Sequence, residues 1–283
     1  MNAILKLVNF YIYSSLHIGL ATVALIFQTA QLFDIQVSLY YYLFGFAATV
    51  FIYCTHRIIG FQRMPSWIKE GRFTIIKQYA SHIKVYAALG LIACIVLFFF
   101  LPLNVMLYLV LPSIFSITYV LPVFKNKYRL RDYNYIKIFL IAVVWAYITA
   151  LIAMLFGADQ LSLTSRSLIV AERILFVFAI TIPFDIRDHE IDKETNVNTL
   201  VHALGIEGAK RLSVVTVFLI LLINFSLRTQ GILSDTAYFT LFSFYILLMF
   251  VIIYASKQKS DYYYSGLLDG TMILCPLMIY FFA

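Results

Sequence analysis

The chain has 283 residues, of which 63% are hydrophobic and only 12% are charged. This balance excludes a water-soluble domain, in which about a quarter of the residues are usually charged. The net charge of +7 suits basic loops at a membrane surface, and we expect no nucleic-acid partner. Many apolar runs are close to the roughly 20 residues that cross a bilayer as a helix, so we predict an all-α polytopic membrane protein.

The apolar runs predict nine transmembrane helices that form one domain over residues 1–283. The first run lacks a cleavable signal pattern, so we expect it to be retained as a span. The predicted spans cover residues 10–27, 37–55, 85–101, 104–120, 138–156, 168–184, 212–227, 238–254 and 267–282.

The basic residues are distributed asymmetrically about these spans. Of the 21 Lys and Arg residues, 18 lie before the first span or in the connections after spans 2, 4, 6 and 8. The other three are Arg166, Arg173 and Arg228. The positive-inside rule then places the N-terminus and these connections in the cytoplasm and the C-terminus outside. We expect a multi-pass protein of the cell membrane, which in a bacterium is the inner membrane.

Three aspartates follow the sixth span, in the stretch PFDIRDHEIDKETNVNTL of residues 183–200. Asp185, Asp188 and Asp192 are spaced three and four apart, which places their carboxylates on one face of an α-helix, with Arg187 pointing elsewhere. Like charges repel, so the arrangement suggests a bound cation, and Mg²⁺ prefers such oxygen ligands. The alternative is a solvated helix end whose acids lie near the membrane surface without a ligand.

The connection after the fourth span is basic and aromatic, and reads LPVFKNKYRLRDYNYIKIF over residues 121–139. One interpretation is the ordinary positive charge of a cytoplasmic loop with tyrosines at the membrane surface. The other is a set of cations that bind phosphate or diphosphate.

Some polar residues lie alone within the predicted spans, and no motif around them indicates a function. We expect Glu172 and Arg173, near the outer end of the sixth span, to face lipid headgroups. Asp269, near the start of the ninth span, either supplies a distant carboxylate to the aspartate cluster or makes a structural hydrogen bond.

Together these features resemble the UbiA superfamily of intramembrane prenyltransferases. The resemblance covers nearly the whole chain in topology, but in residues it is specific only around 185–200. The matching residues there are Asp188 and Asp192 in a D-x-x-x-D motif, Asp185 upstream, Lys193, Thr199 and Leu200. In the two preceding basic connections the similar residues are Arg63, Pro65, Gly71 and Arg72, then Tyr119, Lys125 and Lys137.

The chain departs from the family at the end of the second span. The resemblance implies a first aspartate-rich motif there, but residues 53–63 read YCTHRIIGFQR. No acid lies between Asp34 and Glu70, and His56 stands where an aspartate is expected. His56 and Arg57 would supply positive charge in place of one metal site.

The resemblance implies an enzyme that moves an isoprenyl group from a prenyl diphosphate to a small acceptor, expected to be aromatic, with Mg²⁺ as cofactor. Asp185, Asp188 and Asp192 would be its catalytic carboxylates and metal ligands. The side chains implied to bind the diphosphate are His56, Arg57, Arg63, Lys125 and Lys137.

Two other functions fit the sequence. The missing acidic motif favours a family member without transferase activity, which binds isoprenoid lipids or serves as a partner membrane protein. A transporter is the third possibility, but few ionisable residues lie in the middle of the spans, where a transport pathway usually needs them.

Overall fold

The protein is built from helices, as seen in a computed structural model that describes residues 3–62, 72–194 and 197–283. Arg63 lies outside these described residues. The described helices are α1 (Ala3–Tyr13), α2 (Leu16–Leu32), α3 (Leu39–Gln62), α4 (Arg72–Gln78), α5 (Ala80–Phe98), α6 (Leu103–Val120), α7 (Ile136–Met154), α8 (Leu163–Glu194), α9 (Leu200–Thr229), α10 (Asp235–Ile253) and α11 (Tyr262–Phe282). The predicted all-α class is confirmed.

Eight of the described helices are long and apolar enough to cross a bilayer: α3 and α5 to α11. Helices α1 and α2 form a bent pair with an angle of 63°, and counting this pair as one span gives up to nine. The break falls at Ser15, which has a left-handed backbone with a φ of 67°. The predicted nine spans agree with this architecture, but the first prediction, residues 10–27, runs across the break.

Six of the described helices, α2 and α7 to α11, close into a ring. Helix α2 packs against α3, α7 and α11, and the ring continues through α10, α9 and α8 back to α7. A glycine allows the backbones of α3 and α5 to approach each other closely. A Cβ atom added at Gly90 would lie only 3.0 Å from the backbone oxygen of Ala47. Such small residues let membrane helices pack backbone to backbone.

Helix α8 is the longest described element, with 32 residues. At 1.5 Å per residue it spans about 48 Å, well beyond the roughly 30 Å of hydrocarbon. Its apolar part packs between α7 and α9, where the Ser213 hydroxyl donates a hydrogen bond of 2.7 Å to the Ala179 carbonyl. Its charged last turns, which carry the three aspartates, therefore project from a firmly held helix at one end of the bundle.

A buried polar cluster lies in the opposite half of α8. Arg173 is only 2% exposed and Glu172 is 6% exposed, so the expectation that they face lipid headgroups is wrong. The Arg173 guanidinium donates to Gln28 Oε1 at 3.0 Å and to Thr149 Oγ1 at 3.2 Å, and the Tyr245 hydroxyl donates to the Glu172 carboxylate. Neighbouring helices thus supply the polar partners that the sequence of α8 alone does not show.

A π turn in α7, Tyr147–Leu151, contributes to this cluster. Widening of the helix frees carbonyls from the usual hydrogen bonds, and side chains on other helices take them. The Thr29 hydroxyl donates to the Thr149 carbonyl at 2.8 Å, and the Tyr41 hydroxyl donates to the Ile148 carbonyl at 2.7 Å. The π turn therefore joins α7 to α2 and α3 through specific hydrogen bonds.

Replacing Arg173 with leucine should lower the stability of the protein by about 3–5 kcal/mol, because it leaves the buried Glu172 without its neighbouring cation. Thermal unfolding of the detergent-solubilised protein measures the effect. Arg228→Gln is the matched control, since Arg228 pairs with Asp235 at the surface at 2.7 Å and should change stability by about 1 kcal/mol or less. Equal stability of the two variants would contradict a structural role for the buried cluster.

Candidate functional site

A buried lysine joins two of the three aspartates. The Lys137 ammonium, in the first turn of α7, lies 2.7 Å from Asp185 Oδ1 and 3.2 Å from Asp192 Oδ2. All three side chains are buried. Because the two aspartates are seven residues apart, two helical turns bring them to one face, as the spacing predicts. Lys137 offsets their mutual repulsion and links the beginning of α7 to the end of α8.

The third aspartate is held by its neighbour in sequence. The Arg187 guanidinium donates to both Asp188 oxygens, at 2.9 and 3.0 Å, and to Asp261 Oδ1 at 2.7 Å. It also lies over the rings of Phe184 and Tyr264. The expectation that Arg187 points away from the aspartates is wrong, because its long side chain bends across the helix surface toward the residues at the start of α11.

The N-terminal helix is tied to the same place. The Tyr13 hydroxyl donates a hydrogen bond of 2.7 Å to Asp261 Oδ2, and the Tyr262 hydroxyl donates to Asn9 Oδ1. Further along α11, Asp269 lies within electrostatic range of Arg187 and Arg57. We call the end of the bundle that carries Asp185, Asp188 and Asp192 the mouth. Helices α1, α8 and α11 border it on one side.

Helix α3 brings two basic side chains, Arg57 and His56, to the same end of the bundle. The Arg57 guanidinium donates to the Tyr13 carbonyl and lies 5.6 Å from the centre of the Tyr13 ring. The His56 ring lies 6.3 Å from the Tyr119 ring, and the Arg131 guanidinium lies 5.4 Å from the same ring. The charged groups that act electrostatically on His56 are Arg131, Arg129, Arg57 and Lys137. Basic side chains thus gather at the end of α3 and in the loop before α7, and Arg131 and Lys137 lie near Asp192 of α8.

The loop before α7 is held together by its own ion pair. It contains two short 3₁₀ turns, Lys125–Lys127 and Leu130–Asp132, and Arg129 Nη2 lies 2.7 Å from Asp132 Oδ1. Burial raises the pKa of the Asp132 carboxyl, but hydrogen bonds from the Arg129 side chain and backbone outweigh burial and hold that pKa below its ordinary value. The same loop carries Arg131 to the mouth, whereas Lys125 is exposed.

The carboxylates have the oxygen chemistry that Mg²⁺ prefers. Mg²⁺ usually takes one or two carboxylates and completes its shell with water and substrate phosphates. Within residues 3–62, 72–194 and 197–283, no group of three or more His, Cys, Asp or Glu side chains is placed to hold a metal ion by itself. Lys137 and Arg187 are the cations beside the three aspartates. The donor set therefore fits a metal that arrives with phosphate oxygens, rather than a complete cage of protein ligands.

Two members of this site escaped the sequence analysis, Tyr13 and Asp261. Asp261 immediately precedes α11 in a connection already assigned to the charged side, which is a signal that could have identified it. Tyr13 carried no such signal. His202 is a hydrogen-bonded histidine at the start of α9: its Nδ1 lies 2.9 Å from the Thr199 hydroxyl, and its ring stacks on that of His189 with the ring centres 4.3 Å apart.

Replacing Lys137 with methionine should destabilise the protein by about 3–5 kcal/mol, because two buried carboxylates lose their shared cation. A fall in the thermal midpoint in detergent would show this. Lys137→Arg should preserve most of the stability, since it keeps the charge. Lys125→Met, which removes an exposed lysine from the adjoining loop, serves as the control and should leave the midpoint unchanged. If Lys137→Met and Lys125→Met have similar thermal midpoints, Lys137 does not stabilise the protein by bridging the two aspartates.

The chain resembles solved structures over almost its whole length. A UbiA homologue from Archaeoglobus fulgidus bound to GPP and Mg²⁺ has a TM-score of 0.66 at 13% identity, covering 95% of this chain and 99% of that one. The apo structure of a UbiA homologue from Aeropyrum pernix K1 has a TM-score of 0.61 at 16% identity, covering 92% and 94%. A digeranylgeranylglyceryl phosphate synthase has a TM-score of 0.60 at 16% identity, covering 97% of each chain.

At the level of sequence the chain stands apart. No family model matches it, and no curated protein matches it either. The structural likeness nevertheless extends over more than nine tenths of both chains in each comparison. From α1 to α11 the chain has the fold of the UbiA homologues.

Proposed function

We propose that the protein is an integral-membrane prenyltransferase of the UbiA superfamily, which moves an isoprenyl group from a prenyl diphosphate to an aromatic acceptor. The observation that carries the proposal is the charged mouth, where aspartates of α8 pair with Lys137 of α7 and basic side chains gather around His56 on α3. Two structures of the A. fulgidus homologue with the same fold are bound to GPP and Mg²⁺ and to DMAPP and Mg²⁺. A prenyl diphosphate is the substrate class that matches both the fold and the charges.

The aspartates are proposed as the catalytic carboxylates and as ligands of Mg²⁺. Lys137 holds Asp185 and Asp192 toward the mouth, and Arg187 holds Asp188. When bound there with the substrate, the metal would offset the charge of the departing diphosphate. The bridging cations keep the acids in place when no substrate is present.

The proposed phosphate-binding residues of the described chain are His56, Arg57, Lys125 and Lys137, and Arg63 belongs to the same set in sequence. Positive side chains strengthen hydrogen bonds to phosphate oxygens. As the allylic C–O bond breaks, the electron pair leaves with the diphosphate, and the allylic cation remains for attack by the acceptor. Tyr53 and Trp145, whose ring centres are 6.4 Å apart, offer aromatic faces that attract such a cation.

A second function is favoured by one specific observation. The carboxylates of the mouth already have protein cations as partners, since Lys137 lies between two of them and Arg187 holds the third. Such a neutralised site suits a membrane protein that binds isoprenoids, or a partner protein, without catalysing transfer. Product formation separates the two functions.

The protein is a multi-pass membrane protein, and we propose that it lies in the inner membrane of a bacterium with the charged mouth in the cytoplasm. The basic loop before α7 lies at this mouth, and the connection between α7 and α8 lies at the other end of the bundle. The excess of Lys and Arg on the first side supports the orientation.

Asp188→Asn and Asp192→Asn should each reduce Mg²⁺-dependent transfer roughly 100-fold or more, because each removes a carboxylate that would hold the Mg²⁺ needed to offset the charge of the departing diphosphate. Transfer is measured with radiolabelled geranyl diphosphate and a panel of phenolic acceptors, with Mg²⁺ or EDTA. Glu190→Gln is the control, since Glu190 is exposed on the same helix and pairs with Lys257.

Unchanged turnover in both asparagine variants would overturn the assignment of the aspartates. If the wild type binds the labelled diphosphate but prenylates no acceptor, the non-catalytic function replaces the enzyme.

A cysteine placed at Lys125 should react with a membrane-impermeant maleimide only after the cytoplasmic side is opened. Asp159→Cys, in the exposed connection between α7 and α8, should react from the outside of intact cells. The native Cys54 and Cys275 are buried and Cys94 is half-buried, so the background should be low. The reverse pattern would invert the orientation.

A further inference from the structure

The cations of the mouth fall into two kinds. Lys137 and Arg187 lie in ion pairs with carboxylates. Arg57 and Arg131 differ, because in the described part of the chain neither forms an ion pair with a carboxylate. Arg57 donates to the Tyr13 carbonyl. Among the described residues, only the second kind has a guanidinium that no carboxylate contacts directly.

These two arginines belong to one surface. Arg131 packs against the Tyr119 ring, and the His56 ring packs against the same tyrosine. His56 is next to Arg57 on α3 and feels the charges of both arginines. The end of α3 and the loop before α7 therefore present Arg57, His56 and Arg131 together, with each side chain half-buried.

This surface lies near acidic side chains of the mouth. Asp192 is among the groups that act electrostatically on Arg131, and Asp261 and Asp269 are among those that act on Arg57. The arginines are close enough to the carboxylates to feel them, and yet outside ion-pair distance of them. An anion bound at this surface would contact the guanidinium groups and lie near Asp192, Asp261 and Asp269.

The chemistry of two guanidinium groups suits a diphosphate. Each planar fork can hold two oxygens of one phosphate, so a pair of forks matches a ligand with two linked phosphates. Each guanidinium lies beyond ion-pair distance of these carboxylates, so an anion in direct contact would gain charge-assisted hydrogen bonds that the carboxylates do not supply. Charge from arginine, unlike charge from a metal, is present whether or not Mg²⁺ is supplied.

We propose that Arg57 and Arg131 form a two-guanidinium clamp that binds the diphosphate group of the substrate without a metal ion. The clamp rests on the proposed function, because it assigns the diphosphate of that substrate to this side of the mouth. Lys137 and Arg187 pair with the aspartates and lie outside the clamp, so a contact of Lys137 with a phosphate would be additional to it. Metal bound on the aspartate side would then serve the reaction but would not be needed for the diphosphate to bind.

Calorimetric binding of inorganic pyrophosphate to the purified full-length protein in detergent tests the clamp. With EDTA present, the wild type should bind pyrophosphate, and Arg131→Gln or Arg57→Gln should weaken binding about 10-fold or more, as expected for lost charge-assisted hydrogen bonds. Arg131→Lys should recover part of the loss, because it keeps the charge without the fork.

The matched control is Lys257→Gln, which removes one positive charge near the same mouth from a surface pair with Glu190 and should leave binding unchanged. Arg57 also holds the Tyr13 carbonyl, so thermal midpoints must show that each variant is folded. Arg131 packs on Tyr119 and forms no ion pair within the described residues, so Arg131→Gln decides the question if Arg57→Gln unfolds.

The clamp is wrong if pyrophosphate binds to the wild type only with Mg²⁺, or if folded Arg131→Gln binds it as tightly as the wild type does. Equal affinity for inorganic phosphate and pyrophosphate would also overturn it, because a single anion site would then suffice for a lipid phosphate. If prenyl product forms but binding requires Mg²⁺, the clamp fails and the proposed function stands. If pyrophosphate binds in EDTA but no acceptor is prenylated, the clamp stands and the proposed transferase fails.

Discussion

The contact of Lys137 with Asp185 and Asp192 is the interaction on which the charged mouth depends. Two carboxylates buried on one helical stripe would repel each other strongly where water is scarce, and the ammonium between them removes that cost. The same contact joins the first turn of α7 to the last turns of α8. Because it joins these two helices, it sets the position of the loop before α7, and with it the position of Arg131 near Asp192.

The sequence was sufficient for the architecture and for part of the site. Continuous apolar runs and the bias of Lys and Arg across the spans predicted the helices, and the three-and-four spacing predicted the common face of Asp185 and Asp192. These features are local, so periodicity and composition carry them. Helix α8 was predicted to leave the membrane after residue 184, and its charged continuation to Glu194 forms the mouth.

Partners that lie far apart in the chain could not be predicted in this way. Arg187 reaches Asp261, 74 residues away, and Tyr13 reaches the same carboxylate from 248 residues away. Arg173 looked like a headgroup contact because α8 gives no hint of Gln28 and Thr149 on other helices. In each case the contact forms only when distant parts of the chain pack together, and local sequence patterns do not show which parts will meet.

The polar cluster in the half of α8 that lies away from the mouth has a mechanical consequence. Arg173 and Asp185 are twelve residues apart, which is about 18 Å along a stiff rod. Hydrogen bonds to α2 and α7 fix α8 at Arg173, a serine hydroxyl of α9 holds it again at the Ala179 carbonyl, and the ion pair with Lys137 holds its charged end. If a polyanion competed for that ion pair, the displacement would be confined to the last turns beyond Pro183, and the half of α8 around Arg173 would stay in place.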